Sequence, residues 1–89
     1  MADTFRITLG QLNPTVGDID GNAAKARAAW EAGRDARADM VALPELFITG
    51  YNAQDLMMKP AFHTAAIEAV KALAEDCADG PTLAIGCPW

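Results

Sequence analysis

The most restrictive feature of this sequence is a short apolar run, Met40 to Leu43, that ends directly at a proline. A strand inside a parallel sheet is covered on both faces, so it is apolar at successive positions rather than at alternate ones. We therefore predict a buried strand over residues 40–43. Pro44 has no N–H for a sheet hydrogen bond and favours an extended Leu43, so the strand should end there. Glu45 would then lie just beyond the carboxyl end of the strand, where open α/β sheets bind their ligands.

Two segments on the N-terminal side of this run complete a β-α-β unit. Apolar and polar residues alternate over residues 5–9, which predicts a first strand. A helix follows over about residues 20–37, with Asp20 or Asn22 as its N-cap. The predicted apolar face of this helix consists of Ala23, Ala26, Ala29, Trp30, Gly33 and Ala36. Strand–helix–strand units of this kind have parallel strands joined by a right-handed crossover.

The second half of the chain adds another helix and another strand after an irregular segment. Pro60 suits the first position of the helix, which we expect to end before residues 79–81, Asp-Gly-Pro. The predicted buried face of this helix consists of Phe62, Ala66, Ala69, Val70, Leu73 and Cys77. Residues 82–87 form a third buried strand. The predicted fold class is therefore α/β, in the order β-α-β-loop-α-β with mutually parallel strands. Because 89 residues are few for a sheet with helices on both faces, we expect a fragment of a larger protein.

The charge balance and the lack of long apolar segments narrow the classes of function. The formal net charge is −5 and lysine and arginine do not cluster, which argues against a nucleic-acid partner. The sequence has no pattern typical of a signal peptide, and no run approaches the roughly 20 apolar residues of a membrane span. Two cysteines are too few for a disulfide framework, so we expect a cytoplasmic protein in which Cys77 and Cys87 are packed thiols.

Few side chains in the sequence are candidates for chemistry. His63 is the only histidine, and no His, Cys and carboxylate residues have the spacing of metal ligands, so no metal site is predicted. The glycines form no nucleotide-binding motif. Cys87 stands at the end of a predicted strand but has no local base that would make it a nucleophile. Glu45 is the remaining candidate, and taken alone it is more simply explained as a solvated loop acid.

Four segments of the chain carry a resemblance to a known family. Residues 44–51, Pro-Glu-Leu-Phe-Ile-Thr-Gly-Tyr, resemble the first active-site block of the carbon–nitrogen hydrolase (nitrilase) superfamily, and residues 7–18 resemble its first strand and loop. Residues 50–56 with 59–62 are similar to the amidase domain of glutamine-dependent NAD+ synthetases, as is the Gly-Pro of residues 80–81 that leads to residues 86–89. The likeness departs from this family at residues 52–53, Asn-Ala, where many members carry two prolines.

The resemblance implies that residues 1–89 are the N-terminal fragment of a glutaminase domain with the nitrilase-like α-β-β-α sandwich. Such domains hydrolyse glutamine with a glutamate, a lysine and a cysteine. Glu45 matches the glutamate, which acts as general base, and Tyr51 matches a tyrosine of the glutamine pocket. The lysine and the cysteine would lie beyond residue 89, so the fragment alone is expected to be inactive. A glutamate is a weak base at its ordinary acidity, and we expect partial burial of Glu45 at the strand tip to strengthen it.

The resemblance also implies partners that act elsewhere in a longer enzyme. Ammonia would pass to a synthetase domain that uses ATP and Mg²⁺ to amidate deamido-NAD+, in a homo-oligomer, and residues 1–89 would themselves need no cofactor. Two alternatives stay open. One is an amidase of the same superfamily without a synthetase domain. The other is a non-catalytic α/β regulatory or interaction domain, in which Glu45 is only a solvated acid.

Overall fold

The computed structural model describes residues 4–50 and 59–87, which form a three-stranded sheet and two helices. In chain order the elements are β1 (Ile7–Leu9), α1 (Ile19–Asp35), β2 (Met40–Ala42), α2 (Pro60–Asp76) and β3 (Thr82–Ala84). The strands lie in the order β1-β2-β3, and both neighbouring pairs are parallel. The predicted α/β class, the order of the elements and the parallel strands are confirmed, although β3 is shorter than the predicted strand over residues 82–87.

One face of the sheet is covered by both helices. Thr8, Val41 and Leu83 are aligned across the three strands on this face. Val41 is completely buried, and a Cβ atom on Gly33 of α1 would collide with it, so the helix lies close against the central strand. Leu73 of α2 faces Leu83 in the same apolar region. The buried core consists of Ala26, Trp30, Val41, Phe47, Ile48, Ala66, Leu73 and Cys77.

The opposite face of the sheet is open to solvent in this chain. Ile7 and Leu9 of β1 are 49% and 67% exposed, and the residues aligned with them on β2, Met40 and Ala42, are only half-buried. The prediction that residues 40–43 are buried on both faces is therefore wrong for the chain as described, because both connecting helices pack on the side of Val41. The third strand, also predicted to be buried, is likewise half-buried at its two apolar positions.

The two ends of α1 differ from those predicted from the sequence. Asp18 is the N-cap, because its carboxylate accepts a hydrogen bond from the Gly21 N–H at 3.0 Å. The predicted caps, Asp20 and Asn22, lie inside the helix instead. Asp20 places negative charge in the first turn, where it interacts favourably with the positive end of the helix dipole. The helix ends two residues before the predicted residue 37, because Arg37 adopts a left-handed φ of 61°.

Helices α1 and α2 pack against each other and against the start of β3. Pro60 begins α2, as predicted. Trp30, the one large side chain on the alanine-rich face of α1, is 4% exposed and donates its indole N–H to the Pro81 carbonyl at 2.8 Å. Arg27 and Asp76 form an ion pair of 2.6 Å between the helices, but both side chains are about half exposed, so the pair contributes little to stability. Of the predicted buried face of α2, three residues are buried and three half-buried: Ala66, Leu73 and Cys77, then Phe62, Ala69 and Val70.

Candidate active site

Glu45 lies directly after the carboxyl end of the central strand, as the sequence predicts. Sheet pairing continues as far as Leu43, whose N–H donates to the Ala84 carbonyl at 2.9 Å, and it stops at Pro44. The chain then forms a tight turn from Glu45 to Thr49. We refer to residues 45–50 as the Glu45 turn. The proline thus fixes where the strand ends and where the carboxylate begins.

The Glu45 turn forms one wall of an open groove of about 470 Å³. The other wall is the loop that follows β1. The residues that line the groove are Gln11, Leu12, Asn13, Pro14, Pro44 and Glu45. Lys25 of α1 donates to the Asn13 carbonyl at 2.9 Å and so ties this loop to the helix. The groove therefore brings a carboxylate next to two amide-bearing residues, which suits a polar ligand with hydrogen-bonding groups of its own.

The side chain of Glu45 is exposed, whereas the residues that follow it are not. Phe47, Ile48 and Thr49 have no exposed surface. The partial burial expected of Glu45 is absent in this chain, because it is the backbone after the carboxylate that enters the core. The turn is consequently anchored by its apolar end, while the carboxylate remains accessible to a molecule in the groove.

The segment that follows β3 supports the Glu45 turn from one side. The Ile48 N–H points to the Gly86 carbonyl at 3.4 Å, and a Cβ atom on Gly86 would collide with the backbone nitrogen of Leu46. Within the turn, the Gly50 N–H donates to the Leu46 carbonyl at 2.9 Å. Leu46 itself has a left-handed φ of 51°, a conformation that non-glycine residues adopt at a cost of about 1–2 kcal/mol. Such a conformation persists where its surroundings hold it in place.

The loop after β1 supports the turn from the other side. The Gly17 N–H donates to the Thr49 carbonyl at 3.0 Å. Gly50 has a φ of 80°, and a Cβ atom added to it would lie 2.6 Å from the Cα atom of Val16. The two backbones are therefore in direct contact, and only glycine fits between them.

Asn22 joins these two loops, a role that we did not predict from the sequence, where Asn22 is a candidate only for the helix cap. Its side chain is completely buried. The amide nitrogen donates to the carbonyls of Thr15 at 2.8 Å and Ile48 at 3.0 Å, and the amide oxygen accepts from the Thr15 N–H at 2.8 Å. One signal for it was present: Asn22 precedes Ala26 and Trp30 at spacings of four, and so falls on the apolar face of α1.

The remaining candidate side chains have different outcomes. Tyr51 lies outside the described residues. His63 is half-buried on α2, and Cys77 is buried at the end of that helix. Burial raises the pKa of the thiols of Cys77 and Cys87, which favours the protonated and less nucleophilic form. Both cysteines therefore behave as packed thiols rather than as activated nucleophiles.

Residues 4–50 and 59–87 contain neither a metal-binding cluster nor a membrane-spanning helix. No three or more histidine, cysteine, aspartate and glutamate side chains are arranged there to hold a metal ion. In the same described part of the chain, neither helix is long and apolar enough to cross a membrane.

The sequence of this chain matches a known protein family and several named proteins. The family model described as carbon-nitrogen hydrolase matches residues 6–87. The glutamine-dependent NAD(+) synthetase of Rhodobacter capsulatus is 62% identical over 89 residues, which are 100% of this chain and 16% of that protein. The glutamine-dependent NAD(+) synthetase of Thermotoga maritima is 47% identical over 58 residues, 65% of this chain and 10% of that protein. The chain thus spans about a sixth or less of the length of these relatives.

Solved structures of similar proteins share the fold. A glutamine-dependent NAD(+) synthetase from Cytophaga hutchinsonii matches with a TM-score of 0.78 and 33% identity, over 84% of this chain and 13% of that one. The corresponding synthetase from Acinetobacter baumannii, in complex with ADP, matches with a TM-score of 0.83 and 28% identity, over 91% of this chain and 15% of that one. The expected nitrilase-like α/β architecture is confirmed by this likeness.

Proposed function

Because the chain belongs to the carbon–nitrogen hydrolase family, we propose that residues 1–89 are the N-terminal part of a glutaminase domain in a longer glutamine-dependent NAD+ synthetase. The 62% identity to the Rhodobacter capsulatus synthetase over the whole chain supports this proposal. In the longer enzyme, released ammonia would amidate deamido-NAD+ in a separate synthetase domain that binds ATP and Mg²⁺. Residues 1–89 alone would hydrolyse no glutamine. A homo-oligomeric enzyme in the reducing cytoplasm is part of the same proposal.

The position of Glu45 is the observation that carries the proposal. Its carboxylate is exposed at the border of the groove, while the backbone that bears it is held by Gly86 on one side and by the loop after β1 on the other. A base of this kind is accessible to substrate and is presented from a fixed position, which is what proton transfer to a bound reactant requires.

In the proposed reaction Glu45 moves a proton in both half-reactions. It takes the proton of a cysteine thiol supplied from outside residues 1–89, as the sulfur bonds to the amide carbon of glutamine. The proton passes to the nitrogen, the C–N bond breaks and ammonia leaves, so that a thioester remains. Glu45 then takes a proton from the water that attacks the thioester carbon, and this proton returns to the departing sulfur as glutamate is released. A lysine, also supplied from outside this chain, stabilises the oxyanion in both steps.

The test is Glu45→Gln in the longer enzyme that carries this segment. Glutamine keeps the size and hydrogen-bonding capacity of the side chain but cannot accept the proton, so glutamine-dependent NAD+ synthesis should fall by about 10² to 10⁴. Synthesis from supplied ammonia should stay near normal, because it requires only the second site. The control is Glu75→Gln, which makes the same chemical change at an exposed position on α2.

Each contrary outcome has a specific meaning. Glutamine-dependent activity within a few-fold of normal in Glu45→Gln would refute the role of Glu45. A parallel loss of glutamine-dependent and ammonia-dependent synthesis would mean that Glu45 supports the fold instead. If the unmodified longer enzyme hydrolysed an amide but made no NAD+ from deamido-NAD+, ATP and ammonia, it would be a family amidase without a synthetase domain.

A further inference from the structure

In the described part of the chain, Asn22 is the one residue whose side chain hydrogen-bonds both to the loop after β1 and to the Glu45 turn. It lies in the first turn of α1 and has no exposed surface. Its three hydrogen bonds all go to backbone groups outside the helix: two to Thr15, next to the groove residue Pro14, and one to the Ile48 carbonyl in the Glu45 turn. A buried amide is costly unless it is satisfied, so these three bonds hold the loops at a fixed separation.

Asn22 holds the Glu45 turn at Ile48. The N–H of Ile48 points to the Gly86 carbonyl, and its C=O accepts from Asn22. Ile48 is therefore fixed on both sides, three residues from Glu45, inside a turn closed by the Gly50-to-Leu46 hydrogen bond. The two residues between Ile48 and Glu45 belong to the same turn, and Phe47 has no exposed surface, so a shift at Ile48 should be passed on to Glu45.

We propose that Asn22 is a positioning residue for Glu45, which sets the distance between the carboxylate and the opposite wall of the groove. The proposal rests on the proposed role of Glu45 as general base. Asn22 does not touch the reacting atoms; it acts through the backbone of the turn. Loss of its hydrogen bonds should therefore impair proton transfer more than it impairs glutamine binding.

The variant that tests this most sharply is Asn22→Asp in the longer enzyme. Aspartate has the same size, but it replaces the donor nitrogen by an oxygen that faces the carbonyl oxygens of Thr15 and Ile48. Even a protonated aspartate donates only one hydrogen, so at least one of these carbonyl oxygens loses its donor and faces another oxygen, and the two loops should separate. A displacement of about 1 Å at a reacting group costs on the order of 10² in rate. We expect kcat for glutamine hydrolysis to fall by about that factor, with a smaller change in KM and with ammonia-dependent synthesis retained.

The matched control lies on the same helix. Trp30→Phe removes another buried side-chain donor that bonds to a backbone carbonyl, but its partner is Pro81 at the start of β3 and not the Glu45 turn. This control should lower the melting temperature and leave kcat for glutamine within a few-fold of normal. If Trp30→Phe lost as much glutaminase activity as Asn22→Asp, general destabilisation would explain both and the positioning role would be refuted.

A double variant separates positioning from stability. Once Glu45→Gln has removed the base, its position no longer matters, so adding Asn22→Asp should cause little further loss of residual glutaminase activity. Multiplicative losses would overturn the proposal, as would a normal kcat in Asn22→Asp alone. The melting temperature of the longer enzyme reports whether the domain that carries Asn22 is folded. If Asn22→Asp does not fold, Asn22→Ser, which removes the amide without adding charge, decides by the same criteria. A normal rate in Glu45→Gln would refute the proposed function itself, whatever Asn22 does.

Discussion

Substitution of Gly50 by alanine should separate the two walls of the groove by a distance that can be estimated from the structure. The new Cβ atom would lie 2.6 Å from the Cα and 2.8 Å from the nitrogen of Val16, both of which are backbone atoms that cannot rotate away. An ordinary contact begins at 3.4 Å, so the Glu45 turn and the loop after β1 must move apart by about 0.8 Å. The left-handed φ of 80° adds about 1–2 kcal/mol of strain for alanine.

A shift of this size should be visible in the rate of glutamine hydrolysis. Misplacement of a catalytic group by about 1 Å costs on the order of 10² in rate, equivalent to about 2.7 kcal/mol in the barrier. We therefore expect Gly50→Ala to lower kcat for glutamine by 10-fold to 10²-fold, measured as ammonia released by the longer enzyme, and to leave ammonia-dependent NAD+ synthesis intact.

The control for Gly50→Ala is Gly10→Ala at the end of β1. Its Cβ atom would lie 2.5 Å from a terminal methyl carbon of Leu43, which can move by a side-chain rotation, and its other neighbours are at 3.6 Å. This variant should keep kcat within a few-fold of normal. If Gly50→Ala also kept a normal kcat, while its melting temperature showed that the variant is folded, the contact between the two loops would not control the position of Glu45.

Three further predictions concern other parts of the chain. Tyr51→Ala in the longer enzyme should raise KM for glutamine more than it lowers kcat, which is the pattern expected when a contact that binds substrate and transition state equally is lost. An unchanged KM would mean that Tyr51 does not bind glutamine and only packs in the loop. Leu73→Ala should destabilise the domain by about 2–5 kcal/mol in urea unfolding, because Leu73 is 1% exposed, whereas Lys71→Ala on the exposed side of α2 should change stability by less than about 0.5 kcal/mol. Because burial raises the pKa of both thiols, iodoacetamide at about pH 8.5 should alkylate Cys77 and Cys87 more slowly in the folded chain than after unfolding in urea; equal rates would contradict their packing.

The features that the sequence predicts correctly are those with a local physical cause. Pro44 ends the central strand because of its own missing N–H, so the place of Glu45 follows from two adjacent residues. The parallel strands follow from the crossover helix. The N-cap was mispredicted because Asp18, Asp20 and Asn22 are all suitable residue types within one turn, and only the geometry of the Asp18 carboxylate selects among them.

The features that the sequence does not predict depend on contacts between distant segments. The Asn22–Ile48 hydrogen bond joins residues 26 apart, and no local pattern connects them. The exposed apolar face of β1 was missed for a related reason. Alternation in Phe5, Ile7 and Leu9 indicates an apolar face, but it does not say whether this chain supplies anything to cover that face.

The direction of α1 explains why stability and catalytic geometry are separable in this fold. In a β-α-β unit the helix runs antiparallel to the strands, so its first turn lies near the carboxyl ends of the strands and its later turns near their amino ends. Asn22 in the first turn accordingly reaches the Ile48 carbonyl beyond the end of β2, whereas Trp30, eight residues and about 12 Å further along, reaches the Pro81 carbonyl before the start of β3. Both residues occupy the same buried face of one helix. They nevertheless act at opposite ends of the strands: Asn22 lies next to the groove, and Trp30 lies in the supporting core. Substitutions along a single helix face should therefore divide into those that change kcat and those that change only stability.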